Sequence, residues 1–265
     1  MKAALVLLAA VTASTAAASR APAGSTIQVH ATISYSKRDG EYRRASLRIT
    51  RGGVLLLSVR VQRLTAGHAR LVRLLVRDLD RDGEPEIVLD LYTNGAHCCT
   101  QSLVYRYVPE ENRYRHAFHD WGNASYRIVD LDHDGRPELR SADDRLAYVF
   151  TAYAASFFPV RIWHFAAGRF LDVTRRYPSV VAADAATLWN EYLRLRRDRA
   201  DVRGVLAAWL ADQYLIGREE DGWRRLRAAY RRGELGPTGE LAGWPQGQGY
   251  LRALKAHLRR LGYAR

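Results

Sequence analysis

Nine residues from Asp78 to Glu86 read Asp-Leu-Asp-Arg-Asp-Gly-Glu-Pro-Glu, with carboxylates at the first, third, fifth and ninth positions. A second copy, Asp-Leu-Asp-His-Asp-Gly-Arg-Pro-Glu, runs from Asp130 to Glu138. Carboxylates converging on one small volume repel unless a cation sits among them, and hard oxygen donors suit calcium. The candidate ligands are the side chains of Asp78, Asp80, Asp82 and Glu86 in the first loop and of Asp130, Asp132, Asp134 and Glu138 in the second. The main-chain carbonyls of Glu84 and Arg136, at position seven, complete the two shells. Gly83 and Gly135, at position six, allow a sharp turn without a Cβ clash. Asp-Gly is also a common hairpin turn, so the rival reading is a pair of plain acidic turns.

The flanking residues say which elements hold these loops. Val72, Leu74 and Val76 alternate with Arg73 and Arg77 before the first loop, with Leu75 breaking the pattern, and Ile87, Leu89 and Leu91 alternate with Glu86 and Asp90 after it. That is the period of a half-buried strand. Tyr126, Ile128 and Val129 precede the second loop and Leu139 follows it. An EF-hand shares the first six positions but needs a bidentate Glu at position twelve between two helices. Position twelve is Leu89 in one copy and Ser141 in the other, and Pro85 and Pro137 oppose a helix leaving either loop. Strand, Asp-x-Asp-x-Asp-Gly-x-Pro-Glu, strand resembles the FG-GAP and VCBS repeats, the calcium-loop blades of integrin-α-like β-propellers. The resemblance covers roughly residues 70–150. It implies one ion on Asp78, Asp80, Asp82 and Glu86, another on Asp130, Asp132, Asp134 and Glu138, and a partial propeller, since a full one needs at least four blades.

The rest of the chain divides by its periodicity. Ile27, Val29, Ala31 and Ile33 alternate, Asp39-Gly40 marks a turn, Leu47 and Ile49 resume the pattern, and Gly52-Gly53 turns the chain into Val54–Val61. Further strands are expected at Ser102–Tyr107, Tyr114–Trp121, Ala147–Ala154, Val160–Phe165 and Phe170–Thr174. From Val181 the period becomes 3.6. The apolar stripes are Leu188, Tyr192 and Leu195; Val202, Leu206, Trp209 and Leu210, with Gln213 facing away; Trp223, Leu226 and Tyr230; and Tyr250, Leu251, Leu254, Leu258 and Leu261. Gly233 and Gly262 end the last two, and Asp184 and Asp201 suit N-caps. The fold class is therefore α+β: an antiparallel β region over residues 24–180 followed by a small helical bundle over 181–265.

Residues 1–23 carry the marks of a signal peptide: Lys2, an apolar run from Ala4 to Val11, and small residues at Ala16–Ala18 and Ala21–Ala23. The expectation is a secreted or extracytoplasmic chain with no membrane span, in a compartment rich in calcium and oxidising for thiols. Cys98 and Cys99, the only cysteines among the 265 residues, then have a vicinal disulfide as one outcome and free or buried thiols as another. His97 beside them supplies too few local ligands for a zinc or copper site. The formal charge of +13 is almost all arginine, spread along the chain without a nucleic-acid-binding motif. Specific nucleic-acid binding is not expected, whereas a protein, glycan or anionic cell-surface ligand is compatible with that charge. No nucleophile elbow, zinc-protease helix or phosphate loop is present. The functional expectation is a non-catalytic calcium-binding module. The alternative is a secreted hydrolase using His97 or a carboxylate between the β region and the helices.

Overall fold

The computed structural model describes residues 6–11, 27–38, 41–61, 70–95, 98–236 and 243–264. The class is α+β, with antiparallel sheets followed by four helices among the described residues. Contacts divide the chain into two units, Met1–Glu138 with His164–Leu171 and Leu139–Trp163 with Asp172–Arg265.

The first unit holds two four-stranded antiparallel sheets whose strands follow in chain order. One consists of β1 (Val6–Val11), β2 (Val29–Arg38), β3 (Glu41–Arg51) and β4 (Val54–Arg60). The other consists of β5 (Arg70–Arg77), β6 (Glu86–Gly95), β7 (Cys98–Val108) and β8 (Arg113–Gly122). Val6–Val11, inside the segment expected to be a leader, pairs with Ala31–Ser36 of β2. The expected Asp39-Gly40 turn lies outside the described residues. Gly52 and Gly53 both have positive φ, at 55° and 80°, the geometry of a two-residue hairpin that matches strand twist. Alternation puts Val29, Ala31 and Ile33 of β2 and Leu47 and Ile49 of β3 into one core with Leu74, Val76, Ile87, Leu89, Leu103 and Tyr105 of the second sheet. That burial of two inner faces holds the unit together.

β6 is buried on both faces. Ile87, Leu89 and Leu91 enter the shared core, while Asp90 on the other face is 2% exposed. Asp90 is satisfied there: it accepts from Ser102 Oγ at 2.5 Å, Tyr126 OH at 2.9 Å and Arg73 Nε at 2.8 Å. Trp121 Nε1 donates to Ser102 Oγ at 2.7 Å and its ring stacks on Tyr126, centroids 4.3 Å apart. This network fixes the strands on which the first acidic loop is mounted.

The chain continues through β9 (Arg127–Val129), β10 (Glu138–Ala142), β11 (Val160–Ala166) and β12 (Arg169–Asp172). The first loop joins neighbouring strands of a four-stranded meander, and the second joins the three-residue β9 to the five-residue β10, neighbours in a four-stranded sheet of order β12-β11-β10-β9. Ala147–Ala154, expected as a strand, forms turns and short 3-10 segments, with Tyr148 in a left-handed conformation at φ 60°.

In the second unit β10 pairs with β11, Leu139 opposite Trp163 and Ala142 opposite Val160. The helices are α1 (Pro178–Arg197), α2 (Arg203–Leu215), α3 (Glu219–Arg231) and α4 (Gly247–Arg260). α1 starts on Pro178, where the missing N–H costs nothing, so Asp184 sits inside the helix and accepts from the main-chain N–H of Val160 at 3.1 Å. Asp201 does serve the start of α2, accepting from Arg203 N at 3.0 Å while pairing with the buried Arg203 side chain at 2.8 Å. α2 is buried all round, Gln213 included, because α1, α3 and α4 all pack on it. Among the described residues no helix is long and apolar enough to cross a membrane.

Candidate metal centres

Both acidic loops leave a strand or extended segment and enter the next strand on their ninth residue. In the first, Val76 pairs with Ile87 and Arg77 with Glu86, so Asp78–Pro85 is the closed end of the β5–β6 hairpin. The two loops fold alike, residue for residue. Gly83 N donates to Asp78 Oδ2 and Gly135 N to Asp130 Oδ2, each at 3.0 Å. Glu84 N donates to Asp82 Oδ1 at 2.9 Å and Arg136 N to Asp134 Oδ1 at 2.7 Å. Leu79 N donates to Glu86 Oε2 at 2.8 Å and Leu131 N to Glu138 Oε2 at 2.6 Å. Position four is left-handed in both, Arg81 at φ 62° and His133 at φ 61°, and position six carries Gly83 at 88° and Gly135 at 85°. A side chain at position six would be strained.

These turns gather the first, third and ninth side chains. One oxygen from each of Asp78, Asp80 and Glu86 lies within 4.8 Å of the others, and the same holds for Asp130, Asp132 and Glu138. The position-five carboxylates stand slightly apart. Asp82 is drawn to Arg106, whose guanidinium reaches it at 2.7 Å, with Asp80 at 3.5 Å. Glu84 turns its carboxylate away to a two-pronged pair with Arg51 at 2.9 and 3.0 Å, which leaves its main-chain carbonyl as what it can offer.

The first loop is the more demanding electrostatically. Glu86 is 1% exposed and Asp80 8%. Glu86 Oε1 and Asp80 Oδ1 are buried with no hydrogen-bond partner, as is Asp130 Oδ1 in the second loop. Burial, with the charges of Asp80, Asp82 and Asp78 added, pushes the Glu86 carboxyl up to about 8. Burial and the charges of Asp82 and Asp78 likewise hold Asp80 above the usual carboxylate range, against the help of Ala167 N and Arg106. Buried carboxylate oxygens without donors are costly, and a hard divalent cation satisfies all of them at once. The donor set, oxygen alone in the first loop, fits calcium. In the second loop the matching oxygen, Glu138 Oε1, lies 2.8 Å from His164 Nε2.

Sequence spacing missed three partners that reach the loops from elsewhere. Arg106 comes from β7 and His164 from β11. Arg81 of the first loop donates to the main-chain oxygen of Asp134 in the second and lies against Gly135, where a Cβ would meet it at 3.0 Å. No local signal marks any of them, since each is a tertiary contact. Cys98 and Cys99 sit at the start of β7 with their sulfurs against each other. Cys99 N donates to Thr93 Oγ1 at 2.7 Å, and Gly95 opposite has no room for a side chain, a Cβ there standing 2.6 Å from Cys98 O. His97, invoked for the hydrolase alternative, lies outside the described residues.

Comparison with known proteins gives two relatives. A probable thylakoid lumen protein, sll0997, of Synechocystis sp. (strain ATCC 27184 / PCC 6803 / Kazusa) is 29% identical over 165 residues, 60% of this chain and 48% of the relative. The uncharacterized protein y4bJ of Sinorhizobium fredii (strain NBRC 101917 / NGR234) is 30% identical over 203 residues, 70% of this chain and 31% of the relative. The chain thus spans less than half the length of the curated relatives it matches. The sequence model of the sll0997 C-terminal domain matches residues 181–262, which cover α1 from its fourth residue through α4. No solved structure matches. These findings overturn the resemblance to FG-GAP and VCBS repeats: the family model that matches is a different one, and neither relative is described as a repeat protein of that kind. The physical reason is that a nine-residue loop is a local solution for gathering carboxylates at a strand junction, and it specifies neither the sheet around it nor the repeat of that sheet.

Proposed function

We propose that this is an extracytoplasmic protein in which each acidic loop holds one calcium ion, serving to fix strand junctions rather than to catalyse a reaction. The observation that carries this reading is the pair of orphaned buried oxygens, Glu86 Oε1 and Asp80 Oδ1, in a loop whose hydrogen-bond pattern recurs in the second copy. Asp78, Asp80 and Glu86 are the side chains that would hold the first ion and Asp130, Asp132 and Glu138 the second, with Asp82, Asp134 and the main-chain carbonyls of Glu84 and Arg136 available to complete the shells. The likeness to a probable thylakoid lumen protein and the leader-like composition of residues 1–23 both support a location outside the cytoplasm, where calcium is abundant enough for sites with dissociation constants of about 0.1–1 mM.

Thermal unfolding with calcium and with chelator tests the reading. Calcium raises the melting temperature of the wild type, Asp80→Asn and Asp132→Asn each remove part of that rise, and the double variant removes nearly all of it. Identical wild-type curves in calcium and chelator would make the loops plain acidic turns.

A further inference from the structure

Between them α3 and α4 leave an open groove of about 770 Å³ in the second unit. Trp223 and Leu251 supply its apolar surface, and Arg227, Arg252 and Lys255 stand around them. The helical period explains the grouping: Trp223 and Arg227 are four residues apart on α3, Leu251 and Lys255 four apart on α4, and such pairs share a face. Trp223 turns its indole N–H back to Tyr214 OH at 2.7 Å, so its polar edge is satisfied inside the unit. Arg227, Arg252 and Lys255 are exposed, and among the described residues none of the three is engaged in a hydrogen bond or ion pair. By contrast, Arg224 and Arg225 of α3 pair with Asp221, Arg232 just after α3 pairs with Glu234, and Arg194 of α1 pairs with Glu191 and Asp198.

We propose that this groove binds an acidic amphipathic peptide segment of a partner protein. Its apolar side chains pack on Trp223 and Leu251 while its carboxylates meet Arg227, Arg252 and Lys255. The lining holds four basic side chains, Arg224 included, against one carboxylate, Glu220, so its net charge is complementary to an acidic partner, and with Trp223 and Leu251 it has the pattern of a groove that takes a helix or strand. Trp223 and Leu251 are half-buried while the three cations are exposed, so a flat anionic surface meets the cations but covers the apolar pair poorly, which favours a peptide over a bilayer. The proposal is independent of the acidic loops.

The test uses the full chain and a fluorescein-labelled, acetylated peptide of about 14 residues containing only Glu and Leu, with leucines at helical spacing. Fluorescence anisotropy is expected to show saturable binding that weakens about tenfold or more between low and high salt, as exposed charges are screened. The R252E/K255E double reversal weakens binding about tenfold or more while leaving the far-ultraviolet circular dichroism unchanged, both residues being exposed. W223A weakens the affinity that remains at high salt, where screening leaves the apolar contribution. A peptide with Lys in place of Glu does not bind. Absence of binding, or binding unchanged in R252E/K255E, overturns the proposal. So does tight binding to phosphatidylglycerol-containing vesicles that displaces the peptide and is lost in the same variant, since the surface would then be a lipid-headgroup site.

Discussion

Glu86→Gln should stabilise the metal-free protein and lose one loop's response to calcium, and the size of each effect follows from the site. Without an ion, the wild-type fold must bury a carboxyl whose folded value is about 8 against an ordinary 4.5. A carboxyl raised in the folded state contributes its stability fully below about 4.5 and loses it as pH rises through about 8. At pH 7 the gap of 2.5 units corresponds to roughly 3 kcal/mol against the metal-free wild type, at about 1.4 kcal/mol per unit. Glutamine keeps an oxygen for Leu79 N and offers an amide to the Asp80 side, with no charge to bury. In chelator at pH 7 the variant should therefore melt roughly 6–12 °C above the wild type, at about 2–4 °C per kcal/mol for a chain of this size. That difference should shrink to nothing near pH 4.5. Calcium at ten times the dissociation constant adds roughly 1.4 kcal/mol per site; the wild type should gain from both loops and Glu86→Gln from the second alone. Melting followed by circular dichroism at pH 4.5, 7 and 8, in calcium and in chelator, reads all four quantities. A variant that melts at or below the wild type in chelator at pH 8, or that keeps the full calcium response, would refute the reasoning.

Arg106→Gln should tighten calcium binding in the first loop on the order of tenfold, because a fixed positive charge next to Asp82 and Asp80 opposes a divalent ion; calcium titration calorimetry showing unchanged or weaker binding would contradict this. Asp212→Asn in α2 should flatten the pH dependence of stability of the second unit. Burial and the charge of Asp184 push the Asp212 carboxyl up to about 10, so its contribution is present below about 4 and lost as pH rises toward 10, at about 1.4 kcal/mol per unit; denaturant titrations from pH 6 to 9 check the slope, and equal slopes in both proteins would exclude Asp212 as its source. Cys98 and Cys99 should take up no alkyl groups without reductant and two with it in the exported protein, by intact-mass measurement; two groups without reductant would show free thiols.

The legible parts were those in which spacing along the chain is spacing in space. The repeat of Asp, Asp, Gly and Glu across nine residues already implies two like turns, and the hydrogen bonds from Gly83 to Asp78 and from Gly135 to Asp130 are what that spacing builds. Alternation at Val29–Ile33 and Ile87–Leu91, and the stripe through Leu188 and Tyr192, lead to strands and a helix for the same reason. Arg106 and His164 were not legible, since nothing in a nine-residue loop says which distant strand will face it. A stripe presumes one solvated face and so points Gln213 outward, yet α2 is enclosed by three neighbours and Gln213 is buried. Ala147–Ala154 is rich in the aromatic and β-branched residues of strands, but the left-handed Tyr148 ends any extended run. The likeness of the acidic loops to repeat blades failed at the level above: a loop motif specifies a turn, not the sheet that carries it.

The central claim is most directly tested by counting calcium. Purified protein, dialysed to equilibrium against buffer with calcium at about ten times a millimolar-range dissociation constant, should retain close to two ions per chain by elemental analysis. The count should fall to one in Asp80→Asn or Asp132→Asn and to none in the double variant. A wild-type chain that retains no calcium above the dialysis buffer would contradict the account.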